Sequence, residues 1–342
     1  MNLKFTLAIG TIFAWNLASL ITQAMAKPEK TPKTFTQWCQ QKSTLPPQTK
    51  RTVDALLAIA KTQDCNQANK TLTNFTNISL DSNQITDLKP LSSLINLSQL
   101  YLKSNQLSDI NPLSSLEKLN KLTIESTKVS DIKPLSNLTN LNFLNISQSQ
   151  VRDIQPLSKL NNLNLLGLSG NQITDIQPLA NLKNLQELSI SANQIRDIKP
   201  LSGLNKLTVL DMKLNQISDI KTLGKFNKLT YLSLDKNPIS DIKPLANMRD
   251  LTYLSLISVP ISDMKFLSNL TNLNFLDLSS TQISDVKPLA NLTKLNYLFL
   301  ESNKIKDIQS LSNLKKLQTL KLQNNPITSK KCPVKPTKIC NF

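Results

Sequence analysis

Residues 188–201 read Leu-Ser-Ile-Ser-Ala-Asn-Gln-Ile-Arg-Asp-Ile-Lys-Pro-Leu, and this pattern returns every 22 residues over most of the 342-residue chain. An Asp stands at 87, 109, 131, 153, 175, 197, 219, 241, 263, 285 and 307, with no insertion or deletion between any two. Four residues before it runs a column of Asn83, Asn105, Asn171, Asn193, Asn215, Asn237, Asn303 and Asn325, interrupted by Thr127, Ser149, Val259 and Thr281. Three residues after the Asp comes Pro, except at Thr222, Phe266 and Ser310. Periodicity this strict excludes an ordinary globular domain and demands a stack of identical coils. One coil cannot enclose its own apolar residues, such as Ile85, Leu88, Leu91, Leu94, Leu97, Leu100 and Leu102. Coils laid on one another bury these columns in one continuous core.

Within each coil the Leu100-Tyr101-Leu102 type of alternation suits a short strand with Leu inward and the intervening residue outward. Successive strands pair in parallel, roughly 4.8 Å apart, so about twelve of them make a curved body on the order of 55 Å long. The Asn column supplies a donor and an acceptor for backbone groups at the sharp turn, a task that Val259 cannot share. The Asp column precedes Ile-x-Pro-Leu and reads as the N-cap of a one-turn helix, with Pro supporting that turn on the outer side. The aligned carboxylates do not spell calcium, because each offers one ligand where the ion takes roughly 6–8 oxygens.

The motif from Leu188 through Leu201 resembles the 22-residue leucine-rich repeat of bacterial internalin-type proteins, over about three quarters of the chain. That resemblance implies an α/β horseshoe with a parallel sheet on its concave side, 3₁₀ turns on its convex side and a helical N-terminal cap. It also implies extracytoplasmic binding of another macromolecule. The cap has a counterpart in Lys50 to Lys61, where Val53, Leu56, Leu57 and Ala60 follow helical spacing. No sortase-type signal or immunoglobulin-like domain follows the repeats, so anchoring and host-cell invasion are not expected by analogy.

The organisation expected is a signal peptide over 1–26, a disulfide-bearing helical cap over 27–70, repeats over 71–329 and a disulfide-closed cap over 330–342. Residues 1–26 carry Lys4 and no acid, then an apolar run from Phe5 to Ile21 and the small-residue exit Ala24-Met25-Ala26. An uncleaved anchor is the alternative, which Asn16 and that exit disfavour. No Cys follows the run and no second apolar stretch of about 18 residues occurs, so the mature chain is expected outside the membrane, periplasmic or extracellular. Cys39 and Cys65 stand at one end and Cys332 and Cys340 at the other. Four cysteines allow three pairings, or none if they stay reduced. The ends of an elongated molecule cannot touch, so Cys39–Cys65 and Cys332–Cys340 are the pairings expected after export.

Composition leans against an enzyme. The chain has no His, which removes Ser-His-Asp hydrolysis, Cys-His proteolysis and His-bearing metal sites. None of its five Gly is arranged to cradle a nucleotide. Neither a cofactor nor a metal is implied. Asp211 and Asp235 are a carboxylate pair of the type used in glycoside hydrolysis, but on a flat sheet such acids are expected to be plain surface charge.

Function in a solenoid resides on the outward strand positions of its concave face. Six residues before the Asn column lie Phe143 and then, in consecutive coils, Tyr231, Tyr253, Phe275 and Tyr297, with Phe299 on the same strand as Tyr297. Only 5% of the chain is aromatic, so this file stands out as a candidate binding ladder. The bland alternative is cross-strand stabilisation of the sheet. Asp211, Asp235, Asp277 and Glu301 are read as exposed acids around the ladder, with Lys213 the one nearby cation. The remaining excess of cations lies at the ends: eight against three acids over 27–70, and seven against none over 308–342. A nucleic-acid binder places cations beside its aromatics, so nucleic acid is not an expected partner. The expected partner is another protein, with a glycan or an anionic envelope surface as the alternative, and the basic ends as solvated charge or a contact with such a surface. Coil nine is irregular, with Val259-Pro260 in place of the Asn turn, Ile257 at an outward position and Phe266 for Pro.

Overall fold

The computed structural model describes residues 34–342, so the signal peptide expected over 1–26 lies outside the described residues. Three helices open the chain: α1 (Phe35–Gln40), α2 (Pro47–Ala60) and α3 (Cys65–Thr73). Thr34 and Gln37 form a reciprocal capping box on α1, and Pro47 starts α2 three residues before the expected Lys50, at the position where a missing N–H costs nothing. Val53, Leu56 and Leu57 of α2 are fully buried over the first coil, while Ala60 stays half-buried. The Thr52 hydroxyl seals this junction by donating to the Asp87 carbonyl at 2.6 Å.

Thirteen parallel strands follow in chain order, from β1 (Asn77–Ser79) through β8 (Tyr231–Ser233), β9 (Tyr253–Ser255), β10 (Phe275–Asp277) and β11 (Tyr297–Phe299) to β12 (Thr319–Lys321) and β13 (Cys340–Asn341). Their register follows the repeat: Tyr231 pairs with Tyr253, Tyr253 with Phe275, and Phe275 with Tyr297. Each strand sends its middle residue inward, as Leu232, Leu254, Leu276 and Leu298 show at 0% exposure. On the opposite side of each coil a short 3₁₀ turn such as Lys199–Gly203 carries the chain back. The sequence provides for both, since β-capable triplets alternate with Pro-bearing segments that cannot extend a ladder. The repeated Leu and Ile columns form one core from Phe35 to Val334.

The Asn column satisfies the turn and also joins neighbouring coils. Asn193 accepts the Ile173 N–H at 3.0 Å and donates to the carbonyls of Leu168, at 3.0 Å, and Ile190, at 3.1 Å. The Asp column differs by one residue from the N-cap expected. The N-cap is the following apolar residue, Ile198 in one coil, and Asp197 accepts the Lys199 N–H at 2.8 Å from the position before it. All eleven Asp residues do this, at 2.8–3.0 Å, because a side chain one step earlier reaches the first N–H of the turn in an Asx turn.

The pairs Cys39–Cys65 and Cys332–Cys340 are disulfide-bonded, with Cα atoms 5.5 and 5.8 Å apart. The second closes a loop whose β13 pairs with β12 and covers the last sheet edge, a strand the repeat does not announce. A further column without a sequence signal takes left-handed backbone: Ser82, Ser104, Ser126, Gln148, Gly170, Ala192, Leu214, Lys236, Ser258, Ser280, Ser302 and Asn324, with φ between 51° and 69°. Coil nine keeps its strand and loses only the links that the Asn column and the residue after it make elsewhere. Val259 is buried without bridging, and Pro238 and Pro260 lack the N–H that Gln216 gives to Ile195. A groove of about 670 Å³ opens beside Ile261 and Ile283, between coils nine and ten.

Candidate functional site

Strand alternation and parallel register place the four predicted rings side by side on the concave face. The Tyr231 and Tyr253 rings stack with centroids 4.2 Å apart and planes 13° apart, and Tyr253 and Phe275 do so at 4.2 Å and 9°. The file then turns. Tyr297 tilts by 39° at 6.3 Å from Phe275 while its hydroxyl donates to Gln318 Oε1 at 3.0 Å. Phe299 enters from the adjacent column at 5.2 Å from Phe275. None of these side chains points into the core, and Tyr297 is the most open at 37% exposure. Stacking uses up both faces of Tyr253, so the inner ladder offers solvent its ring edges and hydroxyls.

Phe143 is not part of this group. It lies four strands before β8, and the Lys121 ammonium sits over its ring at 4.6 Å and over the Tyr101 ring at 5.5 Å. This cation–π sandwich was readable as a Lys between two aromatics in adjacent coils, but it is a local contact in which Phe143 already has its partner.

The acids also divide. Asp235 and Asp277 are each only 9% exposed, which corrects the expectation of open surface charge. Asp235 faces the next coil and accepts Ser255 Oγ at 2.6 Å, the Ile257 N–H at 2.9 Å and Ser233 Oγ at 3.3 Å. It thus ties coil eight to coil nine, where the Asn column fails. Asp277 accepts the Ser279 N–H at 2.9 Å and stands in register with Phe299. Burial pushes its carboxyl above the usual range against those hydrogen bonds, and Asp235 and Glu301 push the same way. Asp211 is held by Lys213, 3.5 Å away. Glu301, two residues after Phe299, is half-buried, and its carboxylate makes no hydrogen bond or ion pair among the described residues. Tyr231 and Tyr253 are raised above their ordinary value chiefly by burial.

Beside the ladder, at the strand entrances, runs a groove of about 570 Å³ lined by Thr230, Thr252, Asn274, Asn296, Lys294 and Lys316. Each of the first four directly precedes a ring in the sequence. Among the described residues no cluster of acids or cysteines is placed to hold a metal ion. No helix there is long and apolar enough to cross a membrane.

A single in-register parallel sheet, 3₁₀ turns and an outward aromatic strip define a leucine-rich repeat solenoid, a fold whose usual work is protein interaction. A family model of leucine-rich repeats in two copies matches residues 161–203, 183–225, 205–247, 271–313 and 293–330. An internalin (inlF) of Listeria monocytogenes is similar at 33% identity, with 83% of this chain and 86% of that one covered and a TM-score of 0.76. Internalin C2 of the same organism is 35% identical over 59% of this chain and 91% of that one, with a TM-score of 0.57. A leucine-rich repeat protein of Leptospira interrogans is 25% identical, covers 80% of each chain and has a TM-score of 0.68. None of the curated proteins matches the sequence. The chain belongs to the internalin-type leucine-rich repeat proteins.

Proposed function

We propose that the protein is an exported, non-enzymatic scaffold that captures a partner protein on the concave face of coils eight to eleven. The observation that carries this reading is the continuous ring file Tyr231–Tyr253–Phe275 with Tyr297 and Phe299 at its open end. Tyr and Phe edges with hydroxyls alongside combine apolar area with hydrogen bonding, the composition of binding hot spots. Glu301 on one side of Phe299 and Lys321 in register on the other give the open end charges of both signs, which orient a partner with complementary charges. A glycan is the second reading and has less support, because sugar stacking needs a free ring face and Tyr253 has none. Export is supported by both disulfides, which persist in oxidising compartments, and by the apolar opening of the sequence. The domain limits 1–26, 27–70, 71–329 and 330–342 belong to the same proposal.

The test is affinity capture from the native envelope with the parent chain and with Phe275→Ala/Tyr297→Ala/Phe299→Ala, checked for folding by circular dichroism. Loss of a specific co-purifying protein supports the site. Undiminished capture by the folded variant removes it, and retention that free sugar abolishes favours the glycan.

A further inference from the structure

We infer that the C-terminal tip of the solenoid docks onto an anionic phospholipid surface, end-on, independently of what the concave face binds. After Asp307 the chain has no acid and seven lysines, at 315, 316, 321, 330, 331, 335 and 338. Among the described residues none of the seven takes part in an ion pair, whereas Lys42, Lys103, Lys213 and Lys221 do. The body between 71 and 307 is nearly balanced, with 24 cations and 20 acids. The positive charge is therefore gathered at the two ends, and only the C-terminal end carries it without a single acid.

The fold holds it there. Lys330, Lys331, Lys335 and Lys338 are all exposed and lie on or just before the loop closed by Cys332–Cys340. That loop is fixed to the last coil by the β12–β13 register, in which Leu320 pairs with Cys340, and by the Leu322 N–H donated to the Asn341 carbonyl at 2.7 Å. Charges carried on one short, fixed loop face a surface together and are screened together by salt. Ile339 and Phe342 are half-buried at the same tip, so apolar side chains accompany the lysines. Lysines beside partly exposed apolar residues match the boundary of an anionic bilayer, where headgroup charge and acyl carbon meet. A polyanionic sugar uses the charge and leaves the apolar residues idle. A single-stranded nucleic acid needs a series of aromatic platforms among its cations, and the tip has Phe342 alone.

The test uses the full chain with vesicles of phosphatidylglycerol and phosphatidylcholine, vesicles of phosphatidylcholine alone, and soluble heparin. Binding to the anionic vesicles that fades with added salt is expected, with none to the neutral ones. Each lysine near such a surface contributes about 1 kcal/mol, or roughly fivefold in affinity. Lys330→Gln/Lys331→Gln/Lys335→Gln/Lys338→Gln should therefore lose binding several hundredfold. Lys133→Gln/Lys199→Gln/Lys243→Gln/Lys287→Gln removes the same charge from exposed positions on the convex side and should keep most of it. The inference is overturned by equal binding to neutral vesicles, by full binding of the tip variant, by an equal loss in the convex variant, or by heparin binding without vesicle binding.

Discussion

From Asn171 to Asn237, each Asn shares one carbonyl acceptor with its neighbour in the next coil, and this sets the cost of removing one. Asn215 accepts the Ile195 N–H and donates to the carbonyls of Ile190 and Met212, all at 3.0 Å. The Ile190 carbonyl also receives Asn193 at 3.1 Å, and the Met212 carbonyl also receives Asn237 at 3.0 Å. Asn215→Ala thus orphans a single group, the Ile195 N–H, at a cost of about 1–3 kcal/mol. Asn193→Ala likewise orphans only the Ile173 N–H, since the Leu168 carbonyl keeps Asn171 at 2.9 Å. The double variant additionally leaves the Ile190 carbonyl with neither partner. It should therefore cost about 1–2 kcal/mol more than the sum of the two singles. Urea unfolding of the four proteins followed by far-UV circular dichroism measures this. Trp38 fluorescence is unsuitable, because that residue lies in α1 and reports the N-terminal cap alone. Additivity within about 0.5 kcal/mol would refute the shared-acceptor account.

Leu214 is 44% exposed and sits at φ 57°, so Leu214→Asn should relieve left-handed strain and raise the melting temperature by about 1–3 °C; an unchanged or lower value counts against it. Asp277 has a raised folded-state pKa, so its contribution is full below the ordinary aspartate range and is lost as pH rises through the folded value. Asp277→Asn, whose amide oxygen can still accept the Ser279 N–H, should then be more stable than the parent at pH 7, with the gap closing on acidification in paired urea titrations. Tyr231 and Tyr253 are raised above 10.0, so two of the four tyrosines should ionise late in a phenolate absorbance titration. Their contribution to stability is present below that value and disappears as pH climbs through the folded ones.

The fold was legible because the chain states it about twelve times over. A departure such as Val259 or Phe266 leaves the period intact, and the inward Leu or Ile of each of the first twelve strands falls where the spacing puts it. The left-handed column at Ser82, Leu214 and their equivalents was not legible because half of it is Ser, which favours no such backbone, and the rest is mixed. The stack imposes that backbone on Ser, Gln, Ala, Leu and Lys alike, with Gly at one position alone. The Asp column was found but placed one residue off, since spacing shows which residue recurs and leaves open which N–H it reaches.

The proposed binding face occurs only once, and its details rest on pairs the period does not encode. Register alone brought Tyr231, Tyr253 and Phe275 into one file. Whether an outward residue is available depends on its neighbour one coil away: Ser255 covers Asp235, Phe299 stands beside Asp277, and Lys121 caps Phe143. The open part of the face thus narrows to its C-terminal end, where Tyr297 tilts away and Phe299 and Glu301 have no aromatic lid from the next coil, whose equivalent positions are Thr319, Lys321 and Gln323. A partner that uses this face meets the end of the ladder first, which is why the variants that discriminate are those at Phe275, Tyr297 and Phe299 rather than at the stacked pair behind them.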